Sequence, residues 1–202
     1  LGIECQADRR HCHSINLCGG ETADNVIFHK FEIGEARRLC RYPLNSGLVI
    51  MPEEPISYMR LALEEAEEAS QRGEVPVGAV IVDPTTNDVI ATAGNRIVER
   101  HDPTAHAEML AIQEAARAVG SERLGGLDLY VTLEPCPMCA QAISFARIRR
   151  LYFGAADTKG GGVENGPRLF AQSTCHHRPD VYGGIDESQA SALLRDFFRD
   201  RR

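Results

Sequence analysis

At 202 residues, with 43% apolar and 25% charged residues, the chain can bury one ordinary core, and nothing in its composition demands two domains. Its formal charge of -7 excludes the broad basic field of a nonspecific nucleic-acid binder, while leaving room for a local basic stripe that meets one RNA. Seven cysteines, split four before Met51 and three after it, imply no disulfide framework and fit a reducing compartment.

Residues 1–50 mix Cys, His, Arg and Gly without helical or strand period and are neutral overall, so a disordered leader or upstream extension is expected there. Cys5, His11, Cys12, His13 and Cys18 resemble metal ligands in composition, but their spacing fits no zinc pattern. Strong patterning opens near Met51, and residues 51–202 are expected to form the working domain. From Ser57 to Arg72, Leu61, Ala62, Ala66 and Ala69 recur at helical spacing among glutamates; Ser57 can cap this helix and Gly73 stops it.

Val77 to Val82 is an apolar, β-rich run, Asp83 to Asp88 is turn chemistry, and Val89 to Ala93 returns, which predicts a β-hairpin. After a polar loop, in which His101 and Asp102-Pro103-Thr104 read as a turn with Thr104 as helix cap, Ala105 to Val119 is a helix closed by Gly120. Leu127 to Thr132 reads as a buried strand, Pro137 to Ala146 as a helix that tolerates proline in its first turn, and Arg150 to Phe153 as another strand. Gly154 to Ile185 has little period, and Ser188 to Arg199 is a final amphipathic helix. A hairpin followed by strand–helix–strand units predicts an α/β fold, a three-layer α/β/α sandwich with helices on both faces of a mixed sheet. No run approaches the roughly 18 apolar residues of a membrane helix, so no membrane association and a cytoplasmic location are expected.

The chemistry-bearing residues gather at two of these helix starts. A catalytic zinc site keeps three protein ligands from Cys and His and leaves the fourth position for water. His106, Cys136 and Cys139 supply that set, with the helix dipole favouring thiolate at the second start. C-x-x-C alone is weak, and H-x-E weaker; together with Pro135, at two predicted helix starts, they become specific. Zinc lowers the pKa of water toward about 7, and Glu108, two residues from His106 and not itself a ligand, is placed to take and return the proton. The competing readings are a structural site, which needs four closed ligands where three are evident, and a glutamate merely favoured by the helix dipole.

With the H-x-E and P-C-x-x-C pattern in place, the chain resembles the zinc-dependent nucleobase deaminases of the cytidine and deoxycytidylate superfamily. Within it, the bacterial tRNA-specific adenosine deaminase family is the nearer resemblance, over about residues 57–202. The matching stretches are Glu74 to Ala79, Asn95-Arg96, Arg100 to Glu108, Leu129 to Cys136, Met138 to Ala140, Leu193-Leu194 and Asp196 to Arg199. The resemblance implies a cytidine-deaminase-like fold with five strands, one zinc ion per subunit, a homodimer, and conversion of a wobble adenosine in a tRNA anticodon stem-loop to inosine. It also implies that Asn95 hydrogen-bonds the nucleoside, that the Ala107 backbone reads the base edge, and that Asp157 lies near the flipped ribose.

On the last helix, Arg195, Arg199 and Arg202 can line a phosphate-facing stripe, and of the adjacent Phe197 and Phe198 one is expected to pack while the other meets RNA. Phe198 and Arg199 are accordingly candidate substrate contacts. Two rival functions stay open. Pro137 makes the motif P-C-P-M-C, as in guanine and cytosine deaminases of the superfamily, and a non-catalytic, zinc-stabilised RNA-binding subunit is the other. The segments Gly160 to Pro167 and Cys175-His176-His177 depart from the commoner family pattern; a polar loop touching substrate is expected around Cys175, in preference to a second metal cluster.

Overall fold

The computed structural model describes residues 29–31, 38–40, 57–199 and 201. Two compact units divide the chain, residues 1–53 and 54–202. In the first, β1 (His29–Phe31) pairs antiparallel with β2 (Arg38–Cys40), Lys30 opposite Leu39. The rest of the expected leader lies outside the described residues.

The second unit begins with α1 (Tyr58–Gln71). Ser57 Oγ accepts the Arg60 N–H at 3.3 Å, satisfying one of the orphan donors of the first turn, and Gly73 leaves the helix at a φ of 86°. Its buried stripe of Met59, Ala62, Leu63, Ala66 and Ala69 is rich in alanine, which lets the helix lie close to the sheet. The hairpin follows as β3 (Gly78–Asp83) and β4 (Asp88–Gly94), turned by Asp83, whose Oδ1 accepts the Thr85 N–H and hydroxyl, and by Asn87 in the left-handed region. Then come α2 (Ile97–Arg100), α3 (Ala107–Val119), β5 (Asp128–Leu133), α4 (Pro137–Ala146), β6 (Arg150–Ala155), a single 3-10 turn (Leu169–Ala171), β7 (Asp180–Tyr182) and α5 (Glu187–Arg199).

The sheet order is β4-β3-β5-β6-β7. β3 runs antiparallel to β4 and β5, whereas β5, β6 and β7 are mutually parallel neighbours. One face carries α3 and α4, whose Ala111, Ala115, Ala140 and Ile143 pack with Ile81, Leu129, Val131, Leu151 and Phe153. The other carries α1 and α5, with Met59, Ala62 and Ala190 against Val80 and Val82. The expected three-layer sandwich with a mixed five-stranded sheet is therefore observed. Close layer contact has a local cause: a Cβ at Gly78 would come within 2.7 Å of the Ala66 nitrogen, and one at Gly94 within 2.7 Å of the Glu65 carbonyl oxygen, so α1 rests on bare backbone.

Three local expectations change. The fifth strand, β7, falls inside the stretch read as irregular. Within the polar loop, α2 is a turn of helix whose first donors, the N–H groups of Val98 and Glu99, are accepted by the buried Glu74 carboxylate at 3.1 and 2.9 Å. Thr104 does not cap α3, because its hydroxyl donates to Asp102 Oδ1 at 2.7 Å; the cap position is His106, with no side-chain cap bond, as its ring is turned elsewhere.

At one end of the α1/α5 face, Tyr130, Tyr152 and Tyr182 stand opposite one another on β5, β6 and β7 and stack at centroid separations of 4.4 and 5.0 Å, with Tyr58 tilted against Tyr130 at 5.2 Å. Burial first, then the charges that Tyr152 and Asp128 would set beside it, push the Tyr130 hydroxyl up to about 12. The folded state thus holds this proton after an unfolded chain would lose it near pH 10. The Tyr130 contribution to stability should be intact below about pH 10 and be lost as pH rises toward 12. Phenolate absorbance should show a late-titrating component that is absent in Tyr130→Phe; its persistence in that variant would refute this.

Candidate metal centre

Two helix starts converge on one point. His106 has extended backbone and precedes α3, and Cys136 likewise precedes α4, with Pro137 in the first helical position where its missing N–H costs nothing. Cys139 follows one turn into α4 and is fully buried, whereas His106 and Cys136 are half-buried. His106 Nδ1 lies 3.8 Å from Cys136 Sγ and 3.6 Å from Cys139 Sγ, and the three donor atoms are all within 4.8 Å of one another. Tetrahedral zinc, with bonds of about 2.3 Å to sulfur and 2.0 Å to nitrogen, holds such ligand atoms about 3.6 Å apart, so the spacing fits that ion. Among the described residues, this is the one trio of His, Cys, Asp or Glu side chains that meets the metal-site geometry.

Without an ion, the thiols divide their protons unequally. Cys136 is drawn down to about 4 by the hydrogen bond from Cys139, then by His106, while Cys139 is pushed up by sharing that bond and by burial. His106 is raised, chiefly by its bond to Cys136. Zinc would claim both sulfurs as thiolates and release the proton on Cys139.

Glu108 sits in the first turn of α3, only 3% exposed, and its Oε2 has no hydrogen-bond partner among the described residues. A buried carboxylate oxygen left unpaired is costly, and burial accordingly raises this carboxyl above its usual range. It faces a cavity of ≈ 190 Å³ that also touches His106 and Cys136. Val75, Val77, Ile97 and Leu133 supply the apolar wall; Asn95 and Asp157 supply polar groups.

Asn95 is buried and spans two elements, donating from Nδ2 to the Val75 carbonyl at 3.1 Å and accepting the Ala107 N–H on Oδ1 at 2.8 Å. It therefore orients the start of α3, and the Ala107 N–H is already engaged. Asp157 Oδ1 accepts the N–H groups of Lys159 and Gly160, folding its own loop back on itself. Phe198 and Arg199 are not part of this cavity; with Leu194 and Arg195 they border a separate surface hollow on α5. Phe197 is buried and Phe198 about half exposed, as adjacent helical positions require.

Cys175 and His177 also lie outside the cavity lining. Ser144 Oγ and Cys175 Sγ both donate to the His177 carbonyl, and His177 Nε2 donates to the Ile148 carbonyl at 2.6 Å, so this segment is tied to the end of α4. Sequence reasoning gave no role to Glu134. It is buried beside Cys136, lines the cavity, and accepts backbone N–H groups from the 157–165 loop. Burial alone would raise its carboxyl, but donors from Asn165, Asp157 and Glu164 outweigh burial and hold it below the usual range. A carboxylate two residues ahead of a ligand, with a glycine run downstream, was the available clue.

The profile described as the cytidine and deoxycytidylate deaminase zinc-binding region matches residues 52–155. The tRNA-specific adenosine deaminase of Agrobacterium fabrum is 61% identical over 145 residues, 72% of this chain and 94% of that protein. That of Bacillus subtilis is 43% identical over 145 residues, 72% and 89%. A structure solved in studies of A-to-I editing by tRNA:A34 deaminases at the wobble position superposes with a TM-score of 0.66 at 60% identity, covering 68% of this chain and 98% of the other. A guanine deaminase from Nitrosomonas europaea, at 23% identity and a TM-score of 0.58 over 77% of this chain and 96% of that one, shares the fold.

Proposed function

The chain belongs to the cytidine and deoxycytidylate deaminase family, and from that premise we propose that it hydrolyses the wobble adenosine of a tRNA anticodon to inosine, releasing ammonia. The observation that carries the reading is a three-donor metal centre with a buried carboxylate at its side, one oxygen of which has no partner among the described residues. A structural zinc site would close all four positions. His106, Cys136 and Cys139 would hold the ion, which when bound makes water a competent nucleophile near neutral pH. Glu108 takes one proton from the attacking water and delivers it to the ring nitrogen; it then takes the proton of the hydroxyl newly added at the carbon and passes it to the amine, so that the carbonyl forms as the C–N bond breaks and ammonia leaves.

The rest of the site grips the nucleoside. Asn95 hydrogen-bonds it through the amide hydrogen not given to the Val75 carbonyl, the Ala107 N–H meets the base edge by exchanging Asn95 Oδ1 for it, and Asp157 stands by the ribose. An anticodon loop offers a base already partly unstacked, so little energy is needed to extract it. Phe198 and Arg199, set apart on α5, contact the RNA outside the cavity, where a ring and a guanidinium suit bases and phosphates. The working unit is a cytoplasmic homodimer.

The named relatives support the RNA substrate; Pro137 in P-C-P-M-C favours a second reading, a free-base deaminase acting on guanine or cytosine. Offering an anticodon stem-loop, adenosine, guanine and cytosine side by side separates them. Inosine should form in the stem-loop at least about a hundredfold faster than any small substrate is consumed, because only the stem-loop recruits contacts beyond the cavity. Turnover of free guanine alone would overturn the RNA reading. A non-catalytic subunit would process none of the four and show four protein ligands by metal spectroscopy.

A further inference from the structure

We propose that Glu134 is a positioning residue: its buried carboxylate is the template on which the loop from Asp157 to Asn165 folds, and that loop shapes one side of the substrate cavity. The inference rests on the deaminase reading for its kinetic consequence and on geometry for everything else.

Glu134 is 2% exposed and stands two residues before Cys136. Its Oε1 accepts the N–H groups of Val163, Glu164 and Asn165 at 3.2, 2.8 and 2.8 Å, and its Oε2 accepts the Asp157 N–H at 3.0 Å and the Asn165 side-chain amide at 2.6 Å. All these partners are neutral N–H groups from a single loop, and four of them are backbone. A buried carboxylate without such donors is strongly unfavourable, so the charge can stay buried only when the loop closes around it.

The glycine run reads differently in this light. A Cβ at Gly161 would come within 2.6 Å of the Glu134 carboxylate, and one at Gly162 within 2.6 Å of the Pro137 nitrogen and 2.9 Å of the Cys136 carbonyl carbon. Both residues are glycine because the loop presses directly on the Glu134–Pro137 segment. The Gly162 N–H donates to the Pro135 carbonyl at 2.8 Å, fastening loop to motif on that side, and the Leu169 N–H donates to the Gly162 carbonyl at 2.7 Å beyond it. Asp157 and Gly160, carried on the same loop, face the cavity together with Glu134. A glycine-rich segment has much conformational entropy to lose, and Glu134 removes that cost from the binding step by ordering the loop beforehand.

In Glu134→Gln the shape is kept, but one oxygen becomes an NH2 that confronts N–H donors. Amide exchange at 163–165 should accelerate by about tenfold or more. KM for the stem-loop should rise about tenfold with kcat within about threefold and zinc content unchanged. Gly161→Ala, which pushes a methyl group at the same carboxylate from the loop side, should reproduce the split. Unchanged amide exchange in both variants would overturn the proposal. So would zinc loss proportional to lost activity with KM unaltered, which would make Glu134 a support for Cys136 alone. Exchange is read without substrate, so a wild-type protein inactive on RNA would defeat the RNA reading and leave the loop's dependence on Glu134 to be decided by that readout.

Discussion

Glu108→Gln is expected to lower inosine formation by about a thousandfold or more while zinc stays bound. Glutamine fills the same buried space in the first turn of α3 and leaves His106, Cys136 and Cys139 untouched. It cannot accept the proton of water or return one to the amine. Burial already holds the Glu108 carboxyl above its ordinary range. Its unpaired Oε2 is used by no other side chain or backbone group among the described residues. Inosine measured after digestion of the RNA, alongside zinc by atomic absorption, tests this directly. Activity within tenfold of wild type would remove Glu108 from the reaction; loss of zinc would mean that the ligands are misassigned.

Cys139→Ala should remove zinc and activity together, from about one ion per chain to a small fraction of that. Cys139 is fully buried and one turn inside α4, so no solvent-exposed group can take its place, and its loss leaves two ligands where catalysis needs three. A chelator should abolish activity in the wild type, and added zinc should restore it; added zinc should not rescue the variant. Cys175→Ala is the matching control, since that thiol donates to the His177 carbonyl away from the metal centre, and it should retain its zinc. Equal zinc in Cys139→Ala and wild type would refute the ligand set.

What the sequence could disclose depended on how local the cause was. α1 was legible because Ser57, the alanine stripe and Gly73 are neighbours in the chain, and α4 because Pro137 marks its first turn. β7 was not: three residues carry no period, and Asp180 to Tyr182 become a strand only by pairing with Arg150 to Tyr152 on β6. Nor was α2, whose donors are held by Glu74, more than twenty residues earlier. Thr104 was misread because Asp102 competes for its hydroxyl.

The site divides in the same way. The metal residues announce themselves by type and spacing, since thiolates and imidazole have few other reasons to fall at paired helix starts. Their setting does not. The wall of Val75, Val77, Ile97 and Leu133 comes from separate segments, and the partners of Glu134 lie 23 to 31 residues downstream. The departures noted between Gly160 and Pro167 now have a physical reason for two of their glycines, the lack of room beside Glu134 and Pro137.

The bare contact beneath α1 reaches further than its own layer. At Gly78 and Gly94 helix and sheet meet backbone to backbone, so their separation is set by atoms that substitutions elsewhere in the core cannot resize. The short link from Gly73 to Val77 hangs between them and carries Val75 and Val77 into the cavity, while the Gly78 N–H donates to Thr132 on the strand that leads to the cysteines. The far layer thus acts as a fixed gauge for the width of the cavity beside His106 and Glu108.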